Sequence, residues 1–448
     1  MALDGAVGLS LAAPVAFGCL ALGVPLPPRV IAGGEAFAAV LFLLARRRHR
    51  PPDESLRAAP SDHRGLRRLS ALLVAVGFGV CAWKWARAPL WSWDHFAIWG
   101  MKARKLFPFS SLDLEVLRLP ALTVSNPQYP LGLPIAWRLL TLDEPAARAF
   151  RGAHALFGLG ALLALRRAVR RATGSVVLAN ALGGVLCVSP LFWDSEALGL
   201  AEMPLAFLAV AAAALLLELR HLPPVPAVPA VPAWAAGVTI GFVSWIKQEG
   251  VVLTGLLLLL GALVVLASDR SRSDLRRLLA ALAFPAVVVA GAGWWLDRIL
   301  LPRGFGFFVG NWRERGLARL HDPLPIVRAL ARELFSADWL GFWIVISIVF
   351  AVAFLRRCWP AVFVLSAVAV DMAAFASVYV FTYLDPAEHI ASSFFRIAAA
   401  TVPLALLGGA LLAERAAPRE TAAPNRTSPS SAALSSRGWR RWSRPPRA

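Results

Sequence analysis

The sequence predicts an all-α polytopic membrane protein with about twelve transmembrane helices. Of its 448 residues, 58% are hydrophobic and only 16% are charged, whereas about a quarter of the residues of a soluble domain are charged. Apolar stretches of roughly the length that crosses a bilayer recur along the chain. The net charge of +19 falls largely in short arginine clusters between these stretches, which indicates membrane topology rather than nucleic-acid binding.

The twelve predicted spans cover, in order, about residues 7–26, 30–45, 69–87, 147–165, 175–192, 201–219, 234–247, 250–267, 277–296, 338–355, 359–382 and 397–413. Spans 30–45 and 234–247 are the shortest, because about 20 residues are needed to cross the hydrocarbon core. With the N-terminus inside, the arginine clusters near residues 46–50, 166–171, 220, 269–277 and 356–357 all lie in the cytoplasm. The positive-inside rule therefore favours this orientation.

The same pattern divides the chain into three regions. Residues 1–68 form two N-terminal transmembrane helices and a basic cytoplasmic loop, residues 69–413 form the main membrane domain, and residues 414–448 form a disordered basic cytoplasmic tail. Two long loops, 88–146 and 297–337, face outward, and we expect amphipathic helices in the first. Both loops are basic although topology does not require it, so their cations bind either a ligand or anionic lipid headgroups.

The first outer loop holds the most informative stretch, Trp91 to Lys105. Asp94 lies just after the third span, and Trp93, Trp99 and Lys102 flank it. Helical spacing would present the acid and the cations together from an amphipathic helix at the membrane surface. The alternative is an interfacial belt of aromatic residues with an incidental acid.

Four later features lie at predicted outer ends of spans. Tyr129 sits in a proline-punctuated turn, which alternatively only returns the chain to the membrane. Glu202 opens the sixth span and either serves a site or stabilises the helix dipole. Lys247 and Glu249 interrupt a long apolar stretch, where unpaired charges are costly, and we expect them to pair across a turn. Arg396 precedes the last span and requires an anionic partner, either lipid or ligand.

Taken together, these motifs resemble the membrane glycosyltransferases of the GT-C superfamily, which include protein O-mannosyltransferases and lipid A aminoarabinose transferases. The resemblance is strongest to bacterial members of that superfamily whose substrate is undefined. The resemblance covers residues 69–413. Trp93-Asp94, Ile98-Trp99 and Lys102-Ala103 match the first-loop motif W-D-x-W-x-I-W-x-x-K-A. The other matches are a proline-tyrosine turn at Tyr129, an acid-x-P-L helix start at Glu202, a K-x-E-G turn at Lys247, and an S-x-x-R motif ending at Arg396.

The resemblance implies a GT-C-like fold and an enzyme of the bacterial inner membrane and cell envelope, with its active site facing outward. The donor would be a sugar on a polyprenyl phosphate, and the acceptor a hydroxyl of a lipid, glycan or protein. Asp94 would be the general base of an inverting transfer, and Glu202 would assist it or orient the sugar. Lys102, Lys247 and Arg396 would neutralise phosphate, and Trp93, Trp99 and Tyr129 would stack on sugar or isoprenoid.

No cofactor is required by this scheme. The sequence shows no group of His, Asp and Glu with the spacing of metal ligands, so a divalent metal is possible but not indicated. Membrane lipids are the expected partners and nucleic acid is not. The alternative functions are a polytopic transporter, a flippase for lipid-linked sugars, or a non-catalytic scaffold. Transporters often have paired halves and broken helices near the bilayer midplane; the sequence shows no such doubled pattern, and its charges concentrate at one surface.

Overall fold

The structure is a computed structural model, and it describes residues 2–22, 63–87, 98–105, 129–141, 147–193, 199–220, 230–268, 270–300 and 310–416. Within these ranges 89% of the residues are helical and none forms a strand. The predicted span 30–45, the basic loop up to residue 62 and the tail beyond residue 416 lie outside the described residues. The prediction of an all-helical membrane protein is confirmed for the part of the chain that is described.

The helices follow one another in the order that the apolar pattern predicts. Their bounds are α1 Ala2–Ala21, α2 Arg64–Arg87, α3 Gly100–Lys105, α4 Gly132–Thr141, α5 Ala147–Thr173, α6 Val176–Val188, α7 Pro190–Trp193, α8 Glu202–Arg220, α9 Val231–Ile246, α10 Glu249–Leu266, α11 Arg272–Leu300, α12 Trp312–His321, α13 Leu324–Leu334, α14 Phe342–Leu355, α15 Trp359–Phe381 and α16 Pro386–Ala416. A 3₁₀ turn, Ala337–Trp339, precedes α14.

Eight of these helices are long and apolar enough to cross a membrane, which is fewer than the twelve predicted spans. Helices α6, α9 and α14 are apolar but have only 13, 16 and 14 residues, which is about 20 to 24 Å at 1.5 Å per residue. The prediction counted apolar residues and did not detect breaks. Predicted span 175–192 is broken at Ser189, and predicted span 338–355 begins with a turn at Leu340, whose φ is 48°.

Helix α8 lies at the centre of the bundle, and nearly all of its side chains are buried. It packs against α5, α9, α10 and α16. Its run of four alanines, residues 211–214, presents little side-chain bulk, so neighbouring helices can approach closely from several sides. The position of α8 fixes the position of Glu202, its first residue.

Helices α9 and α11 pack closely against each other. Gly237 and Gly241 lie one turn apart on α9, and a Cβ on either glycine would clash with α11 backbone, at the carbonyl oxygens of Leu282 and Ala286. This is the small-xxx-small pattern of membrane helix pairs. The contact positions the end of α11, which carries Asp297, beside the end of α9, which leads to Lys247.

The two ends of the bundle differ in charge. Arg220 at the end of α8 forms an ion pair with Glu414 at the end of α16, with 3.2 Å between Nη1 and Oε2. Arg415 donates to the carbonyl of Arg357, which follows α14. In the described part of the chain, the arginines of the predicted cytoplasmic clusters therefore lie at the helix ends opposite Glu202 and Lys247. This distribution is the one that the positive-inside rule describes.

Candidate functional site

A tight turn between α9 and α10 forms the floor of the candidate site. Lys247 is fully extended at the end of α9, with φ −156° and ψ 158°, and Gly250 N donates to its carbonyl oxygen over 2.9 Å. A Cβ on Gly250 would clash with the carbonyl oxygen of Val243, so only glycine lets α10 begin this close to α9. The turn directs the side chains of Lys247 and Glu249 toward α8.

Lys247 joins two carboxylates from different helices. Its Nζ lies 2.9 Å from Oε1 of Glu202 at the start of α8 and 2.9 Å from Oε1 of Glu249 at the start of α10. The predicted pairing of Lys247 with Glu249 is thus observed, and Glu202 joins it. Burial opposes the charge on Lys247, but the two carboxylates outweigh this effect and raise its pKa above the usual value. The ammonium therefore stays charged.

One oxygen of Glu202 is left available within this buried cluster. The residue is 3% exposed, and its Oε1 accepts the hydrogen bond from Lys247. Its Oε2 has no hydrogen-bond partner among the residues that the structure describes. A buried carboxylate oxygen without a partner is costly, and such an atom is a natural acceptor for a hydroxyl group of a ligand.

Arg396 adds a second cation to the cluster. It interacts electrostatically with Glu202 and Lys247 and is partly exposed. The predicted last span began after Arg396, but α16 begins ten residues earlier at Pro386, so the guanidinium projects from within a continuous helix. One turn before it, Ser393 shares a hydrogen bond of 2.9 Å with the hydroxyl of Tyr379 at the end of α15.

The described part of the first outer loop packs against this cluster. Lys102 on α3 is 0% exposed, and its Nζ donates to the carbonyl oxygen of Tyr129 over 3.1 Å. The rings of Trp99 and Tyr129 are stacked, with centroids 5.5 Å apart. Tyr129 also interacts electrostatically with Lys247. The loop helices are therefore packed into the protein beside the cluster, whereas an amphipathic helix at the surface was expected.

Burial lowers the pKa of Lys102 to about 7, and the nearby carboxylate of Asp297 opposes that shift. Lys102 was predicted to bind phosphate, but in this conformation its ammonium is covered and contacts protein backbone. Trp99 is also fully buried, and Tyr129 covers one face of its ring. Tyr129 itself is partly exposed, so it retains surface that a ligand can reach.

The structure thus brings together seven of the nine residues predicted to form the site: Trp99, Lys102, Tyr129, Glu202, Lys247, Glu249 and Arg396. They come from the first outer loop and from α8, the α9–α10 turn and α16. The other two, Trp93 and Asp94, lie outside the described residues. The position of the predicted general base relative to the cluster therefore stays a prediction.

Sequence reasoning missed two acids and misjudged one arginine. Asp371 lies inside predicted span 359–382, and Asp297 directly follows predicted span 277–296. An acid within a span or at its end is itself a signal of function. Arg319 is one of the cations of the second outer loop, which are predicted to bind either a ligand or anionic lipid headgroups. Instead, its guanidinium donates to the carbonyl oxygens of Tyr379, Val380, Thr382 and Leu384, at 2.7 to 3.3 Å. It satisfies carbonyls at and just beyond the end of α15, which have no helical partner.

No metal centre is evident among the described ranges, where no group of three or more His, Cys, Asp or Glu side chains converges. The cluster instead combines two carboxylates, an ammonium and a guanidinium. Such a set can accept hydrogen bonds from hydroxyl groups through its carboxylates and can contact an anion through its cations. Comparisons of the chain with protein-family models, with curated proteins and with solved structures found no match.

Proposed function

We propose that this chain is a membrane glycosyltransferase of the GT-C type, which moves a sugar from a polyprenyl-phosphate donor to an acceptor hydroxyl at the extracytoplasmic face of a bacterial inner membrane. The observation that carries the proposal is the convergence of Glu202, Lys247, Glu249 and Arg396 at one end of the bundle. Its support lies in the match between this set of groups and a substrate that combines phosphate with sugar hydroxyls.

The cations serve the phosphate of the donor. A phosphate is a good leaving group, so the protein needs to neutralise its charge rather than to protonate it strongly. Arg396 is the first contact in this proposal because it is partly exposed, and a guanidinium can bind two phosphate oxygens at once. Lys247 lies behind it. Lys102 acts by holding the Tyr129 turn in place and reaches phosphate only if that turn moves.

The carboxylates serve the hydroxyl groups. Glu202 accepts a hydrogen bond from a donor or acceptor hydroxyl through Oε2, while Lys247 holds its Oε1. Asp94 takes the proton of the attacking acceptor hydroxyl, a contribution worth about 10²- to 10⁴-fold in rate. The new carbon–oxygen bond forms on the face opposite the phosphate, which leaves with the bonding electron pair, so the anomeric centre is inverted. Glu249 keeps Lys247 in position.

The aromatic side chains line the path of the sugar or of the isoprenoid. Tyr129 offers a partly exposed ring beside the cluster, and Trp99 supports it from behind through their stacked contact. Trp93 is proposed as a further stacking surface on sequence grounds. The arginines at the opposite helix ends support an outward position of the cluster, because arginines gather on the cytoplasmic side. No metal is required for this chemistry.

Turnover in proteoliposomes tests the proposal. The purified chain is supplied with a panel of polyprenyl-phosphate sugars and with envelope lipids, glycans and peptides as acceptors, and free polyprenyl phosphate is measured. Wild-type protein is expected to release it only when an acceptor is present. Asp94→Asn and Glu202→Gln are expected to lose at least about 100-fold in rate, while Glu388→Gln, which removes an exposed acid at the start of α16, keeps full activity.

The alternative, a transporter or a flippase for lipid-linked sugars, predicts a different outcome. Such a protein moves the intact donor across the bilayer without releasing polyprenyl phosphate, and Asp94→Asn leaves that movement unchanged. Translocation is followed in the same proteoliposomes by the accessibility of the sugar to an added oxidant. Translocation without release contradicts the transferase proposal.

A further inference from the structure

A cavity of about 240 Å³ lies at the arginine-rich end of the bundle, opposite the cluster of Glu202 and Lys247. Helix α8 packs against α10 and α16, and α15 packs against the same two helices, so the four helices form a ring. The cavity lies within this ring, toward the ends of α8, α10 and α16 and the start of α15. Leu216, which lines it, follows Glu202 along α8 by about 21 Å at 1.5 Å per residue, so the cavity is separate from the cluster.

The wall of the cavity is apolar. Leu216 of α8 and Leu407 and Leu411 of α16 form its buried side. Of the described residues that line it, Arg220 alone is charged. A buried water needs two to four polar partners, whereas an apolar cavity of about 150 Å³ already admits a benzene ring. The composition and the volume of this cavity therefore favour a hydrocarbon chain over water.

The mouth of the cavity lies along the first turns of α15. Trp359 and Phe363 line the cavity and are exposed, in contrast to the leucines of the opposite wall. Trp359 is the first residue of α15, and tryptophan at the end of a membrane helix is typical of the headgroup level. A lipid of this leaflet can therefore insert an acyl chain while its headgroup stays at the surface.

The rim beside this mouth carries an excess of positive charge. Arg220 is exposed, and its Nη1 lies 3.2 Å from Oε2 of Glu414. Arg415 donates to the carbonyl oxygen of Arg357, two residues before Trp359, so both of these arginines lie at the same end of the ring. Glu414 balances one of the three cations. Because an ion pair at the surface contributes little stability, an anionic headgroup can replace Glu414 as the partner of Arg220.

We propose that this cavity binds an acyl chain of an anionic phospholipid from the leaflet predicted to be cytoplasmic, and that Arg220 contacts the phosphate of its headgroup. Basic pockets between transmembrane helices on the cytoplasmic side are suited to anionic headgroups. The acyl chain fills the centre of the ring. Because α8, α10 and α16 carry Glu202, Glu249 and Arg396 in their opposite halves, the lipid stabilises the helices that position the cluster.

Native mass spectrometry of the full chain, released from detergent micelles, measures this binding. The protein is titrated with phosphatidylglycerol and, separately, with phosphatidylcholine that carries the same acyl chains. We expect phosphatidylglycerol to bind about fivefold more tightly, which is the effect of one arginine near an anionic lipid. Arg220→Gln is expected to abolish this preference. Arg276→Gln, which changes an exposed arginine at the same end of α11, is the matched control and keeps it.

Two further variants keep the test decisive if Arg220→Gln does not fold. Glu414→Gln releases Arg220 from its ion pair and is expected to tighten the binding of phosphatidylglycerol. Val264→Phe places a ring in the cavity from α10 and is expected to weaken the binding of both lipids. Val287→Phe, at an exposed position of α11 outside the cavity, is its control and binds as wild type does.

Thermal unfolding provides a second readout. Phosphatidylglycerol is expected to raise the unfolding midpoint of wild type and Val287→Phe, because a ligand of the folded state stabilises it, and to have little effect on Val264→Phe. Neither readout involves sugar transfer, so a protein that binds the lipid but transfers no sugar keeps this site and loses only the transferase.

Three outcomes overturn the lipid site: equal binding of the two lipids by wild type, an anionic preference that survives Arg220→Gln, or unchanged lipid binding by Val264→Phe. Displacement of phosphatidylglycerol by added polyprenyl phosphate also overturns it, since the cavity then belongs to the isoprenoid of the donor.

Discussion

Lys247 donates a hydrogen bond to Glu202 over 2.9 Å, and this contact ties the turn between α9 and α10 to the first residue of the central helix α8. Both side chains are buried. The second carboxylate, Glu249, lies at the same distance from Lys247. The Lys247 ammonium therefore compensates two acids, Glu202, 45 residues earlier in the chain, and Glu249, two residues later. Loss of the ammonium leaves both acids without their observed ion-pair partner.

Replacing Lys247 with methionine is expected to destabilise the protein strongly. Breaking a buried ion pair costs about 3–5 kcal/mol, because the remaining charge stays buried and uncompensated. Thermal unfolding in lipid or detergent should show a large loss of stability for Lys247→Met. The double variant Lys247→Met with Glu202→Gln should recover part of the loss, with a coupling of about 0.5–3 kcal/mol. Strictly additive effects of the two changes would argue against the pair.

Gly250 is expected to be far less replaceable than another glycine of the same helix. A Cβ at Gly250 would clash with the carbonyl oxygen of Val243, whereas a Cβ at Gly255 would meet nothing within 4 Å. Gly250→Ala should therefore cost about 1–3 kcal/mol, and Gly255→Ala should be neutral or stabilising by about 0.5–1 kcal/mol. Unfolding midpoints of the two variants check this, and equal stabilities would contradict the described turn.

Arg319 is expected to hold the second outer loop against the bundle. It donates to four carbonyl oxygens at and beyond the end of α15, and hydrogen bonds from charged groups are worth about 1.5–3 kcal/mol each. Arg319→Gln should therefore expose residues 310–336 to limited proteolysis from the outer side. Arg328→Gln, which changes an exposed arginine of the same loop, should not. If both variants are cleaved at the wild-type rate, the anchoring role is wrong.

The stability of the protein is expected to depend on pH through Lys102. Its pKa is lowered to about 7 by burial, against the effect of Asp297, while an unfolded lysine has a pKa of about 10.4. Between these values the unfolded chain binds a proton that the folded chain does not, so stability rises with pH across this window and falls toward neutral pH.

Lys102→Met removes this dependence and provides the comparison. Between neutral pH and about pH 9, the stability of the wild type relative to Lys102→Met should rise by up to about 1.4 kcal/mol per pH unit. Denaturant or thermal unfolding of both proteins at matched ionic strength measures the difference. A difference that stays constant over this range would show that Lys102 remains charged in the folded protein, paired with Asp297.

The sequence predicted the helices well where a long apolar run coincides with one helix. It predicted α8, α10 and α15 to within a few residues, because each run has no internal break. The count of twelve spans is not confirmed, because three predicted spans coincide with apolar helices of 13 to 16 residues, two of which are bounded by backbone breaks at Ser189 and Leu340. Pro190 directly follows the first break and Gly341, with φ 77°, directly follows the second, so the signals were local ones that a count of apolar residues does not use.

The candidate site was predicted through charges that are costly at the membrane. Lys247 and Glu249 stood out because they interrupt apolar sequence, and the structure pairs them. Their partner Glu202 is 45 residues away from Lys247, so only the packing of α8 against α9 and α10 reveals the contact. Asp371 carries the same kind of signal, because it is an acid inside an apolar span, but the sequence analysis did not select it.

Donor binding tests the account most directly. Polyprenyl phosphate is titrated into the purified chain in lipid nanodiscs, and binding is followed for wild type, Arg396→Gln and the control Arg328→Gln. Because Arg396 is the proposed phosphate contact, we predict that Arg396→Gln weakens binding by about tenfold or more, equivalent to about 1.4 kcal/mol, and that Arg328→Gln binds as wild type does. Equal affinity of Arg396→Gln and wild type would contradict the claim that this cluster holds a phosphate-linked donor.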